Sequence, residues 1–549
     1  MGSNPRYRIL FLTLSLLAGS TLAQGPGGGP PPLGLPPVPP QNPITEAKRV
    51  LGKILFWEEQ LSSDDSTACG TCHRPENGGV DPRFAVNPGL NGIFGTPDDA
   101  FGSLGMIHTD AAGNYSPNAT FGLFQQVTPR RAPDFFGGLF SPTNFWDGRA
   151  GPSFTDPQTG VVLIPLGGAL EAQAVGPILS NVEMGHDGRD WNQVAARLAA
   201  AIPMRLATNV PADMSAAIAA NPGYPALFQA AFGTPQITAA RIAFAIATYE
   251  RTLVPNQTPW DAFAAGNPAA LTAAEVNGLN NFLGVGRCGA CHVPPLFSDN
   301  TFRNIGLRPI AEDNGRQAVT GNFADRGRFK VPSLRNVALR TRFFHNGQHN
   351  NLTNAVEEYD NSGGPFPDNR DPVLGGLVFS PAQRNSIVTF LGALTDPRVA
   401  AGIFPFDRPT LYSETVPPGS NRFGNETAGS AGIEPQIIAL TPIALGMNDA
   451  RLAVAVGLGG APAAFVWSAV PSAPQDILGI EVLVDLPTAL VQTTTLDGIG
   501  AGGGFKTLRA AVPNLPVLSG LQFFGQWFIV DPGAANGVSA SQAATWTLF

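Results

Sequence analysis

The sequence predicts a mostly α-helical fold of two related domains, followed by a C-terminal β-sandwich. Three observations point there. An amphipathic helix running into Cys-x-x-Cys-His occurs twice, about 220 residues apart. Helix-opening residues followed by apolar repeats at helical spacing mark both blocks. Past about Ser413 that periodicity gives way to short β-prone runs between turn clusters.

At 549 residues the chain is too long for one core, and two or three domains are expected. With 43% hydrophobic residues alongside 64 Gly and 52 Pro, it reads as folded but rich in loops. A net charge of -8 without any basic block argues against nucleic acid as a partner.

The N-terminus has the form of a secretory signal over residues 1–23. Arg6 and Arg8 form a basic start, Ile9 to Ala18 an apolar stretch, and small residues lead to Ala23. The alternative is an uncleaved membrane anchor, but the stretch is short for a span of roughly 20 residues. No later segment is long and apolar enough to span, so a periplasmic or secreted protein is expected.

Residues 24–44 form a Pro/Gly-rich linker. The first block, 45–233, opens at Thr45, which caps a helix from about Glu46 to Phe56 leading into Cys69-Gly-Thr-Cys72-His73. Asn77 to Tyr115 reads as a long loop, and helical periodicity resumes from Trp191 to Ala201. The second block, 234–412, opens with a helix from Thr238 carrying Ile242, Ile246, Tyr249 and Leu253 on one face. Thr272 and Glu275 form a capping box for a further helix, with Val276, Leu279 and Phe282 inward, which runs into Cys288-Gly-Ala-Cys291-His292. Residues 413–432 read as a polar linker. Over 433–549, Leu452 to Leu458, Ala464 to Val470, Gly479 to Leu486 and Gln522 to Val530 are the expected strands. The linker before it suggests that this tail folds separately, and with no Cys or His it is expected to serve attachment, to a surface or a polymer, or positioning. Trp467 and Trp527 are read as sandwich core, with an aromatic binding face as the alternative.

Four cysteines in an exported chain usually mean disulfides. Here Cys69, Cys72, Cys288 and Cys291 have a better explanation. Two residues between the cysteines put both sulfurs on one side of a turn, where they form thioethers with haem vinyl groups. The His that follows then reaches the iron. Zinc ribbons keep their halves closer in sequence, thioredoxin-like pairs need a βαβ context, and short-loop disulfides stabilise little. The domains are therefore read as cytochrome-c-like, with two covalently bound c-type haems held by His73 and His292.

Residue inventory bears on the other side of each iron. No Met lies between His292 and the linker, which leaves His345, His349 and Tyr359 as candidates for the second iron. Leu352, Val356 and Tyr359 share one helical face pointing inward, a spacing that also suits plain packing. After His73 no His or Met appears before Met106 and His108. An open iron position permits chemistry on peroxide or oxygen, whereas two strong ligands favour electron transfer.

The first 410 or so residues resemble the bacterial di-haem cytochrome c peroxidases and their MauG branch. The resemblance rests on Leu51-Gly-Lys-Ile-Leu-Phe56, both haem motifs, Phe145-Trp-Asp-Gly-Arg149, Phe329-Lys-Val-Pro-Ser-Leu-Arg-Asn336, Phe344-His-Asn-Gly347 and Asn354-Ala-Val-Glu-Glu-Tyr359, in that order. It implies that Trp146 lies between the haems and relays electrons. It also implies that Gln173, Pro177 and Glu183 line the distal pocket of the peroxide-reacting haem, where a carboxylate moves a proton between peroxide oxygens. Tyr359 falls where the peroxidase branch has Met and the MauG branch has Tyr, and tyrosinate stabilises oxidised iron.

The sequence departs from the family at Arg131. It stands where an Asn often helps bind an interdomain calcium, and because Arg cannot ligate calcium, that site is in doubt. About 17 residues are inserted between Trp146 and Gln173, and the tail is extra. The expected function is an exported peroxidase reducing hydrogen peroxide with electrons from a small donor protein or molecule. The alternatives are an oxidase or oxygenase acting on a protein or polymer, as in the related rubber oxygenases, and a pure electron carrier.

Overall fold

The computed structural model describes residues 30–549 except 84, 90, 92, 97, 98 and 416–420, and except the side chain of 361. The expected signal, 1–23, lies outside the described residues. From 30 onward the Pro-rich segment is laid along the protein. Leu33, Pro36, Pro39 and Asn42 are buried in a three-residue period, the repeat of a polyproline II helix. Asn42 ends that run by donating to Glu171 at 2.9 Å and to the Phe244 carbonyl at 3.0 Å.

The helix Glu46–Phe56 forms as expected, with Thr45 accepting from the Lys48 amide. It packs against the helix Ala239–Glu250, and Gly52 makes the contact possible: a Cβ there would lie 1.9 Å from the Ala245 carbonyl oxygen. Leu51, Ile54 and Leu55 share one core with Ile242, Ile246, Tyr249 and Leu253. The helix from Thr238, read as opening the second block, thus belongs to the first core. Its apolar face was correctly expected, but periodicity names a face and not its partner. Val399, Phe406 and Leu411 return to the same core, and buried Lys53 reaches Asp407 at 2.9 Å. The second core lies between these passes. It pairs the helices Ala273–Leu283 and Pro381–Gly392, with Gly278 against the Ser386 carbonyl, and holds Trp260, Phe282, Phe297 and Phe390.

The two halves share a repeated loop. In the first, Asn144 and Ala150 bridge a turn in which Phe145 has φ 68° and Gly148 φ 73°. In the second, Phe343 and His349 bridge the same turn, with Phe344 at φ 67° and Gly347 at φ 71°. Trp146 and His345 hold equivalent places. The halves also exchange backbone bonds: the Arg131 amide donates to the His345 carbonyl at 2.7 Å, and the Lys330 amide to the Trp146 carbonyl at 2.8 Å.

C-terminally, two antiparallel sheets enclose one core. One sheet runs 490–495, 462–468, 522–530, 538–547, 422–423, and the other 436–438, 450–459, 500–510. Trp527 and Phe465 from the first meet Leu452, Val454 and Leu508 from the second. Trp527 is fully buried, and Trp467 packs against Phe523 at the core's edge. The stretch 413–432, expected as a linker, is tied down at both described ends. The amides of Tyr412 and Ser413 donate to Glu59, and Arg422–Phe423 joins the sheet.

The β region is also docked on the first haem-motif domain. Ile438, Ala453 and Ala455 pack on Ile107 and Tyr115. Buried Arg451 donates to the carbonyls of Gly113 and Ser63, both at 2.9 Å. Among the described residues, no helix is long and apolar enough to cross a membrane.

Candidate active site

Each Cys-x-x-Cys-His lies on the wall of its own cavity. The first cavity, about 430 Å³, is lined by Cys69, Cys72, His73, Trp146, Gln173, Pro177 and Glu183. The second, about 190 Å³, is lined by Cys288, Cys291, His292, His345 and Tyr359. A third small space between them contains His73, Gln173 and Lys330. Trp146 lines all three, and no other described residue does. Its indole N–H donates to the Arg131 carbonyl at 2.8 Å, and its ring meets His345 edge-on at 6.3 Å.

The local backbone explains how the motifs are presented. Cys69–Cys72 is one turn of helix, and a Cβ on Gly70 would lie 2.2 Å from the Trp57 ring, so the residue after the first cysteine must be small. Nδ1 of His292 lies 3.0 Å from the Phe297 carbonyl and that of His73 3.4 Å from the Gly79 carbonyl. A carbonyl only accepts, so Nδ1 carries the proton and Nε2 keeps its lone pair for a metal. Two thiols and a free imidazole nitrogen on the wall of a cavity fit haem in both places.

Glu183 sits in a tight turn (its amide donates to the Ser180 carbonyl), and its neighbours anchor it. The Met106 amide donates to the Val182 carbonyl at 3.0 Å, and the Ser63 amide to the Met184 carbonyl at 2.8 Å. Burial raises the Glu183 pKa, countered by Arg149 and by a bond from Ser180. Gln173 is presented from the helix Ala169–Ala174. Glu250, which the sequence reading passed over, lines the same cavity. Burial pushes it up to about 8, and its Oε2 has no partner among the described residues. The signal available was an acid ending a helix that is mostly apolar after Arg241, one place past Tyr249.

Candidates for the second iron separate clearly. Tyr359 enters the cavity with Leu352 and Val356, as expected from their shared face, and burial raises its phenol pKa. His345 also lines the cavity, stacked on Phe329 at 3.7 Å, and burial lowers its pKa to about 4. His349 faces Glu358 at 2.8 Å and does not line the cavity. Met106 and His108 do not line the first cavity, and His108 pairs with Asp187.

Residues 46–269 match the family model described as di-haem cytochrome c peroxidase. The methylamine utilization protein MauG of Methylorubrum extorquens is 30% identical over 360 residues, covering 65% of this chain and 81% of that protein. The chain belongs to the di-haem cytochrome c peroxidase and MauG family. The cytochrome c551 peroxidase of Nitrosomonas europaea is 28% identical over 416 residues, covering 75% of this chain and 96% of the relative. Among solved structures, a MauG-like protein associated with microbial copper homeostasis matches with a TM-score of 0.49 at 23% identity, covering 69% of this chain and 97% of that one. Membership makes this chain a haem oxidoreductase and implies haem as its cofactor.

Proposed function

We propose that the chain is an exported di-haem peroxidase that reduces hydrogen peroxide in the first cavity with electrons relayed from the second. Haem bound through Cys69, Cys72 and His73 would supply the iron that passes electrons to peroxide. A second haem on Cys288, Cys291 and His292, in the cavity that Tyr359 also lines, would feed it. The carrying observation is Trp146, the one described residue common to both cavities and the space between them. An indole in that position offers an electron path between otherwise separate sites.

The chain's own groups then handle protons. Glu183 takes the proton from one peroxide oxygen and returns it to the other, so that the O–O bond breaks with water as leaving group. Burial raises its pKa, which strengthens its hold on the proton between the two transfers. Gln173, on the same wall, orients the peroxide by hydrogen bonding. Two electrons and two protons in total convert one peroxide to two waters.

Oxidation of a protein or polymer is the second reading. Tyr359 in place of a Met favours it, since a phenolate holds the second iron oxidised. Rapid-mixing spectra with peroxide, followed by turnover with small donor proteins, test the main proposal. Rapid reaction with steady turnover supports it. Rapid reaction that no soluble donor discharges favours oxidation of a macromolecule, and no reaction leaves electron transfer alone.

A further inference from the structure

Arg131 presents a guanidinium to which no carboxylate among the described residues is bonded, although Asp81 acts on it through space. It is 3% exposed and lines both main cavities. Its Nη1 reaches only the Arg83 carbonyl, at 3.4 Å, and Nε and Nη2 have no partner among the described residues. The carboxylate that acts on it through space is already engaged: Asp81 takes Arg83 Nε at 3.0 Å and Nη2 at 3.0 Å. Three other arginines of the second cavity have acids of their own, Arg303 with Asp371, Arg308 with Glu312 and Arg340 with Asp134, while Arg287 donates to the carbonyls of Val373 and Gly375. A buried cation left unpaired is strongly destabilising, so a counter-charge from outside the polypeptide is needed.

The unpaired atoms also define the shape of that partner. Nε and Nη2 form the side edge of the guanidinium, which holds one carboxylate by two parallel bonds. The same edge grips Asp313 in Arg130, at 2.6 and 2.7 Å, and Glu46 in Arg49, at 2.8 and 2.6 Å. The edge is held in place from both ends. The Arg131 amide donates across the interface to the His345 carbonyl, its carbonyl accepts from Trp146 of its own half, and a Cβ on Gly347 would lie 3.2 Å from Arg131 Cδ.

We infer that Arg131 binds a haem propionate carboxylate side-on at the junction of the two cavities, tying cofactor position to the orientation of Trp146. This rests on the haem reading above. Lys330, its counterpart across the repeat, also lines the second cavity, but it offers a point charge rather than a fork.

The test uses the full chain matured with two haems, with Arg131→Gln and Arg131→Lys. Intact mass counts haems, spectroelectrochemistry reads each midpoint potential, and resonance Raman reads the propionate bending bands. Arg131→Gln should lower the potential of the haem whose propionate is held, because a nearby positive charge favours the reduced iron, and should shift that haem's propionate band. Which haem responds identifies the source of the carboxylate. Arg131→Lys keeps the charge, so the potential should stay near the parent's while the band still shifts as the two-bond grip is lost. Parent-like bands and potentials in a fully loaded Arg131→Gln chain would overturn the inference. If that variant fails to load haem, an unchanged band in Arg131→Lys overturns it instead. A parent chain that carries no haem would refute the haem reading itself, a separate and recognisable failure.

Discussion

The two cavities are built on one repeated plan and carry different chemistry. Equivalent turns present Trp146 to the first and His345 to the second, and equivalent residues Arg131 and Lys330 cross to the opposite half. Beyond that frame they diverge. The first brings Glu183 and Glu250 to its wall, neither in an ion pair among the described residues, whereas Asp134, Asp313 and Asp371 of the second are paired with Arg340, Arg130 and Arg303. The second has a phenol, Tyr359, and a neutral imidazole, His345. On the proposed function, a duplicated scaffold would separate proton-handling groups from groups suited to storing or passing an electron.

The largest effect that can break this comparison is loss of one cofactor. Replacing Cys288 and Cys291 with Ala should remove one haem from the intact mass while the first remains. Loss of both would mean that the halves do not load independently.

Glu183→Gln keeps size and removes the base, and should slow peroxide consumption by about 100- to 10,000-fold. Haem content should be unchanged, and a parent-like rate would transfer the shuttle to Glu250. Tyr359→Met acts on the other cavity. It should raise the second haem's potential and alter its optical spectrum, leaving the first haem's signature in place. An unaltered spectrum would pass the position to His345.

Opposite responses to pH should sharpen the contrast. Glu250 is raised from 4.5 to about 8, so its contribution to stability is full below pH 4.5 and is lost as pH rises through 8. His345 is lowered from 6.5 to about 4, so its contribution is present above pH 6.5 and is lost as pH falls through 4. Each is worth up to a few kcal/mol. Thermal unfolding across pH should show Glu250→Gln gaining on the parent toward alkaline pH and His345→Gln gaining toward acid pH.

The smallest expected effect concerns the seam between the β region and the first cavity's support. Arg451→Met should cost about 3 kcal/mol, the order for buried bonds from a charged donor. Because Arg451 holds the Ser63 carbonyl, and the Ser63 amide holds the Met184 carbonyl beside Glu183, a modest fall in peroxide rate should accompany it. Unchanged stability by denaturant titration would show that the β region rests on the first domain without bracing it.

Much of this was legible in the linear sequence where the cause is local. Thr45, Thr238 and Thr272 cap the helices that they announce, and Leu352, Val356 and Tyr359 do share an inward face. The strand Gln522–Val530 is aromatic and β-branched and was read at its observed limits. Gly500–Ala510, with its glycines, and Val538–Thr547, rich in Ala and Ser, were missed. Those strands exist because neighbouring strands supply hydrogen-bond partners, and their own composition says little.

By itself the sequence determined the parts whose physics spans a few residues: the paired thiols and imidazole of each motif, the capped helices, and the run of similar motifs that marks the family. Only the tertiary structure decided that the Thr238 helix completes the first core, that Trp146 stands at the meeting of three cavities, that Glu250 lines the first of them, and that the unpaired edge of Arg131 is buried between the halves. Each of these depends on what lies across a contact between residues far apart in the chain. Hydrophobic burial is non-directional, so an apolar pattern specifies which face turns inward and leaves open what that face will meet.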